Sequence, residues 1–176
     1  MSPILLNPGP VTLSDGVRRA AVAEDLCHRE PEFTRIQEAV LNGLVAVYDC
    51  DPAEWQSIAL GGSGTVAMEA MVASLLPADG ALFVLENGAY WERLSSIADI
   101  HGIENASVRA EWGAPIDLAA VEANLASGNF SHLAMVHHET TTGRLNPLAP
   151  VADLCQRHGV GLLLDAVSSF GAEEIP

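Results

Sequence analysis

The chain has 176 residues, 49% of them hydrophobic and 18% charged, which is enough to bury one sizeable core and typical of soluble globular proteins. Its net charge of −15, from 23 acids against 8 bases, gives a nucleic-acid backbone almost nothing to bind, and no apolar run is long enough to span a bilayer. The expected partners therefore include neither nucleic acid nor membrane.

The opening residues, Met1-Ser2-Pro3-Ile4-Leu5-Leu6, carry neither a basic region nor a cleavage site, so a cytoplasmic protein is expected. Cys27, Cys50 and Cys155 lie far apart without CxxC spacing, which argues against a disulfide framework and against a zinc site. All 8 basic residues are arginine, and lysine does not occur.

An extended entry, Asn7-Pro8-Gly9-Pro10, leads to Ser14-Asp15, an N-cap for a short helix reaching about Ala23. Pro31 opens a second helix on which Phe33, Ile36, Val40, Leu44 and Val47 share one face. Residues 1–50 thus form an N-terminal region of extended chain and helices.

From residue 51 to 176 the texture is α/β. Strands are expected at 57–60, 81–85, 106–110, 132–137 and 161–164, and helices at 65–76, 90–100, 118–126 and 151–158. Alternation of this kind implies crossovers and a mostly parallel sheet with helices on both faces. The last residues, Gly171-Ala172-Glu173-Glu174-Ile175-Pro176, stop where a connection to another strand is expected, which suggests a truncated domain.

In such sheets ligands gather outside the carboxyl ends of the strands. Four of these ends carry pointed chemistry. Gly61-Gly62-Ser63-Gly64-Thr65 opens a helix, where glycines expose backbone N–H groups, the helix end attracts an anion, and hydroxyls donate further bonds. A tight turn with capping hydroxyls is the plainer alternative. Asn87-Gly88-Ala89-Tyr90 offers an aromatic ring to a flat ligand or to ordinary rim packing.

His137-His138-Glu139-Thr140-Thr141-Thr142-Gly143 gathers hydroxyls and a carboxylate; its adjacent histidines point to opposite faces of a strand, so hydrogen bonding to a polar ligand is expected and a metal is not. Asp165-Ala166-Val167-Ser168-Ser169 places an acid at the end of a buried strand, where a protonated pyridine nitrogen would suit it, as would helix capping. A rival exists: Gly62-x-Gly64-x-x-Ala67 with Glu86 on the next strand fits a dinucleotide fingerprint.

Together these motifs, in this order, resemble class V aminotransferases of the pyridoxal phosphate (PLP) fold type I superfamily, over essentially the whole chain. The stretch Asp25-Leu26-Cys27-His28-Arg29-Glu30-Pro31-Glu32-Phe33, the triple threonine and Ser168-Ser169-Phe170-Gly171 look most like the 2-aminoethylphosphonate–pyruvate branch. The resemblance implies the large domain of that fold, a homodimer, an amino donor and a 2-oxo acid acceptor. It places Ser63, Gly64 and Thr65 on the cofactor phosphate, Tyr90 against the pyridine ring, Thr140 on its phenolic oxygen and Asp165 on its nitrogen. Arg29 is the local candidate for gripping a phosphonate.

The family's Schiff-base lysine would fall beyond Pro176, so no catalytic residue is assigned, and the chain alone is expected to be inactive. Alanine–glyoxylate or serine–pyruvate aminotransferases, a PLP lyase, an NAD-binding oxidoreductase domain and a non-catalytic dimerisation module are the alternatives.

Overall fold

The computed structural model describes residues 4–7, 9 and 11–175. The prolines of the Asn7–Pro10 entry therefore lie outside the described residues. The chain divides into two compact units, Met1–Ala59 and Leu60–Pro176. The change of texture at residue 51 falls inside the first of them.

In the first unit, helix α1 spans Asp15–Ala20, and the Ser14 side chain accepts the Val17 N–H as its N-cap. Helix α2 spans Pro31–Ala46, with proline in its first turn, where a missing N–H costs nothing. None of its residues is buried, and Ile36, Val40, Leu44 and Val47 are 40–54% exposed. Residues 57–60, expected as a strand, are not one: among the described residues they form no ladder, and Ile58 is 79% exposed. Four apolar residues suffice for a strand pattern, but only a neighbouring ladder satisfies a strand's backbone.

The second unit opens with helix α3, Gly64–Leu75, followed by strand β1, Ala81–Glu86, and helix α4, Ala89–Ile100. Strand β2 is Glu104–Arg109, helix α5 Leu118–Ser127 and strand β3 His132–Val136. Two short strands follow, β4 His138–Glu139 and β5 Arg144–Leu145, which pair antiparallel and were not expected from the sequence. Helix α6, Leu148–His158, and strand β6, Gly161–Asp165, complete the unit. Gly159 ends α6 at φ 68°, a left-handed conformation that glycine adopts without a Cβ penalty.

The sheet has the order β2-β1-β3-β6, and every pairing is parallel. Alternate side chains of each strand enter two cores. Leu82, Val84, Ala134 and Val136 pack with Met68 and Val72 of α3 and with Trp91, Leu94, Ile97 and Ala98 of α4. Phe83, Leu85, Leu133 and Met135 pack with Val121 and Leu125 of α5 and Val151, Leu154 and Cys155 of α6.

Helices therefore cover both faces, as alternation of strand and helix implies. Phe83, Leu82, Leu94 and Leu133 are fully buried, each contributing about 1.5–3 kcal/mol by leaving water. Among the described residues no helix is long and apolar enough to cross a membrane.

Candidate active site

Because the sheet is parallel, the carboxyl ends of β1, β3 and β6 open on one edge. The Gly61–Thr65 turn follows no strand, so the site rests on three strand ends and one helix N-terminus. That N-terminus is drawn to the β6 end: a Cβ on Gly64 would lie 3.2 Å from Val167 Cγ2. Val167 in turn donates its N–H to Asp165 Oδ1 at 3.0 Å. Ser63 is the N-cap residue of α3 but makes no side-chain cap bond, and the N–H groups of Gly64 and Thr65, in the first turn, have no intrahelical acceptor. Hydroxyls and amides thus converge where the helix dipole favours an anion.

Glu139 ties the β1 end to the β3 end. Its carboxylate is fully buried and accepts from Tyr90 N–H at 3.2 Å, Thr141 N–H at 3.1 Å and Thr141 Oγ1–H at 2.6 Å. The Ala89 N–H donates to Thr141 Oγ1 at 3.2 Å, closing the tie. Gly88 is required by this approach, since a Cβ there would sit 2.1 Å from Glu139 Cγ.

Tyr90 and Thr140, both half-buried, are thereby carried by one hydrogen-bonded loop pair. Behind it, Asn87 and Asn146 form a buried amide pair, with Asn87 Nδ2 donating to Asn146 Oδ1 at 2.6 Å and Asn146 Nδ2 donating to Val136 O at 2.8 Å.

Asp165 is 7% exposed. Burial pushes its carboxyl above the ordinary value; the Val167 N–H pulls it back, the charge on Glu139 raises it further, and the charge on Arg93 lowers it. Arg93 reaches across the site: its Nη1 donates to Thr65 Oγ1 at 3.2 Å, and its guanidinium lies 5.0 Å from the centre of the Tyr90 ring.

His137, next to the site, has Nδ1 3.0 Å from Ser169 Oγ, and burial lowers its pKa against the raising field of Glu173. The ladder of His137 N–H to Asp165 O at 2.9 Å joins β3 and β6 at this edge.

Ser63, Gly64, Thr65, Tyr90 and Asp165 are thus linked through hydrogen bonds, close contacts and the field of Arg93. Thr140 lies in the same loop as Glu139, but Thr141 provides the hydroxyl that Glu139 holds. Arg29 belongs to the first unit and is exposed. Reading of the sequence missed Arg93, Asn146 and the role of Glu139 as a tie. For Arg93 a signal existed, since it stands one helical turn after Tyr90 on the same face.

The dinucleotide alternative loses two supports. Glu86 is 5% exposed and its carboxylate accepts from Arg109 Nε at 2.9 Å, so it is engaged within the protein. The glycine turn also lacks the preceding sheet strand that the fingerprint needs.

The sequence profile of class V aminotransferases matches residues 21–176. The chain belongs to the class V aminotransferase family. This is an enzyme family whose cofactor is PLP, and the α/β unit here is that of the family's large domain.

The 2-aminoethylphosphonate–pyruvate transaminase of Pseudomonas putida W619 is 40% identical over 172 residues, covering 97% of this chain and 46% of that protein. The alanine–glyoxylate aminotransferase of a Nostoc species superposes with a TM-score of 0.87 at 30% identity, over 99% of this chain and 46% of its own. The pyridoxamine–pyruvate aminotransferase of Mesorhizobium loti does so with a TM-score of 0.88 at 27% identity, over 98% and 44%. This class V chain therefore spans under half the length of the relatives it matches.

Proposed function

We propose that this chain forms the cofactor-holding part of a transaminase that moves the amino group of 2-aminoethylphosphonate to pyruvate, giving phosphonoacetaldehyde and alanine. The observation that supports the reading is the meeting of a helix N-terminus, an aromatic ring and a buried carboxyl on one sheet edge. These groups suit a flat, phosphorylated pyridine. A Cβ on Gly64 would come within 3.2 Å of Val167 Cγ2, a tight contact, and Ser63 and Thr65 flank Gly64 in the chain.

When bound, PLP supplies an electron-withdrawing ring that accepts charge from the substrate carbon. Each of this chain's groups has a part in holding it. The Gly64 and Thr65 amides and the Ser63 and Thr65 hydroxyls bind the phosphate. The Tyr90 ring sets the plane of the pyridine, Thr140 donates to its phenolic oxygen, and Asp165 keeps a proton on its nitrogen. A buried carboxylate without a partner is costly, and a protonated pyridine nitrogen would offset that cost.

The donor and acceptor follow from the 2-aminoethylphosphonate–pyruvate relatives, with Arg29 as the candidate for the phosphonate. The reading includes assembly as a homodimer. It also includes a lysine that this chain, whose 8 bases are all arginine, does not itself provide.

The test is to titrate the 176-residue chain with PLP, following quenching of its tryptophans, and then to supply 2-aminoethylphosphonate and pyruvate. Saturable binding without alanine formation is expected. Absence of binding removes the cofactor reading, and alanine formed by the chain alone overturns the requirement for a lysine from elsewhere.

A further inference from the structure

We propose that Arg93 is a further positioning residue of this site, its guanidinium orienting the Thr65 hydroxyl and pairing with the cofactor phosphate. The inference rests on the PLP reading above. A guanidinium has donors only, so in the 3.2 Å contact between Arg93 Nη1 and Thr65 Oγ1 the threonine oxygen must accept. Its own hydrogen is then free to be donated to an anion at the α3 N-terminus. The contact turns a two-way hydroxyl into a committed donor.

Charge makes the same case. The chain carries −15 overall, and Glu139 and Asp165 are both buried at this edge. A phosphate dianion brought there needs a cation nearby to offset the repulsion. In the second unit Arg109 is paired with Glu86 and Arg157 with Glu122. Arg93 instead reaches the turn that cradles the anion, and its field already acts on Asp165.

Its placement is set by helix geometry, since Arg93 follows Tyr90 by one turn of α4 and their side chains leave the same face. The guanidinium lies 5.0 Å from the ring centre, which holds the long side chain over the site. With one N–H committed to Thr65, the remaining donors of the fork can take phosphate oxygens.

The test compares PLP with pyridoxal, which lacks only the phosphate, on the 176-residue chain and on Arg93→Met and Arg93→Lys. Dissociation constants come from fluorescence quenching, and with no lysine in the chain the N-terminal amine is the one primary amine that could form an aldimine, which its absorbance would reveal. The parent is expected to prefer PLP, and Arg93→Met to weaken PLP by about ten- to a hundredfold while leaving pyridoxal unchanged. Arg93→Lys should restore part of the preference. Arg93 is exposed, so the melting temperature of the ligand-free variants should match the parent.

An unchanged ratio of PLP to pyridoxal affinity in Arg93→Met overturns the assignment and leaves the cofactor reading standing. Tighter PLP binding in that variant also overturns it, by showing that the guanidinium only covers the ring. A parent that binds neither compound, or both equally, defeats the cofactor reading and this inference together.

Discussion

Asp165 shows at the scale of one residue how a site is assembled against stability. Its carboxyl is buried, and burial outweighs the Val167 N–H and the Arg93 charge, so it holds a proton more readily in the folded chain than in the unfolded one. The stability it contributes is fully present below the ordinary aspartate value of 3.8 and is lost as pH rises through the raised folded value. Asp165→Asn keeps an oxygen for the Val167 N–H and removes the buried charge. This variant should therefore melt above the parent at neutral pH, with the gap narrowing as pH falls through the raised folded value and closed below the ordinary aspartate value of 3.8. Thermal denaturation of the ligand-free chain across pH measures this, and equal melting curves at neutral pH would show that the charge is costless where it sits.

Between elements, the most consequential contact is the one Glu139 makes from β4 to the start of α4. Three donors converge on its carboxylate, and it leaves no volume for a side chain at Gly88. Gly88→Ala would drive a methyl group into that carboxylate, and the loop pair must then separate. Overpacking of this kind costs about 1–3 kcal/mol, to be read as a lower midpoint in urea denaturation with an unchanged slope. A midpoint equal to the parent's would mean that the two loops are not held together. The backbone at Gly88 is extended, at φ −174°, so the expected loss comes from crowding alone.

For the molecule as a whole, charge is the dominant global term. A net charge of −15 on 176 residues repels itself in the compact state. Raising sodium chloride from about 10 to about 150 mM shortens the screening length from about 30 to about 8 Å. The melting temperature should rise with it by about a few degrees, and a fall would show that the ion pairs Arg109–Glu86 and Arg157–Glu122 outweigh the repulsion. The wrapping of one parallel sheet by helices on both faces brings loops from residues 61 to 170 to a single edge, and family membership agrees with that architecture.

Periodicity is enough to read the order and kind of most elements from β1 onward: β1 and β3 are buried apolar runs, while the largely exposed β2 is read from its place between two helices. Residue types, rather than periodicity, single out the glycine turn, Tyr90, the threonine loop and Asp165 as candidates for a ligand, and the strand ends among them open on one edge. Residues 57–60 carry a strand's pattern without a strand's neighbour, and pairing is decided by what lies alongside, which local pattern does not contain. The same holds for Arg93 on Thr65, for Asn87 with Asn146 and for Glu139 under Gly88. Each joins positions whose meeting depends on how the sheet stacks its crossovers, and only the tertiary structure decides that.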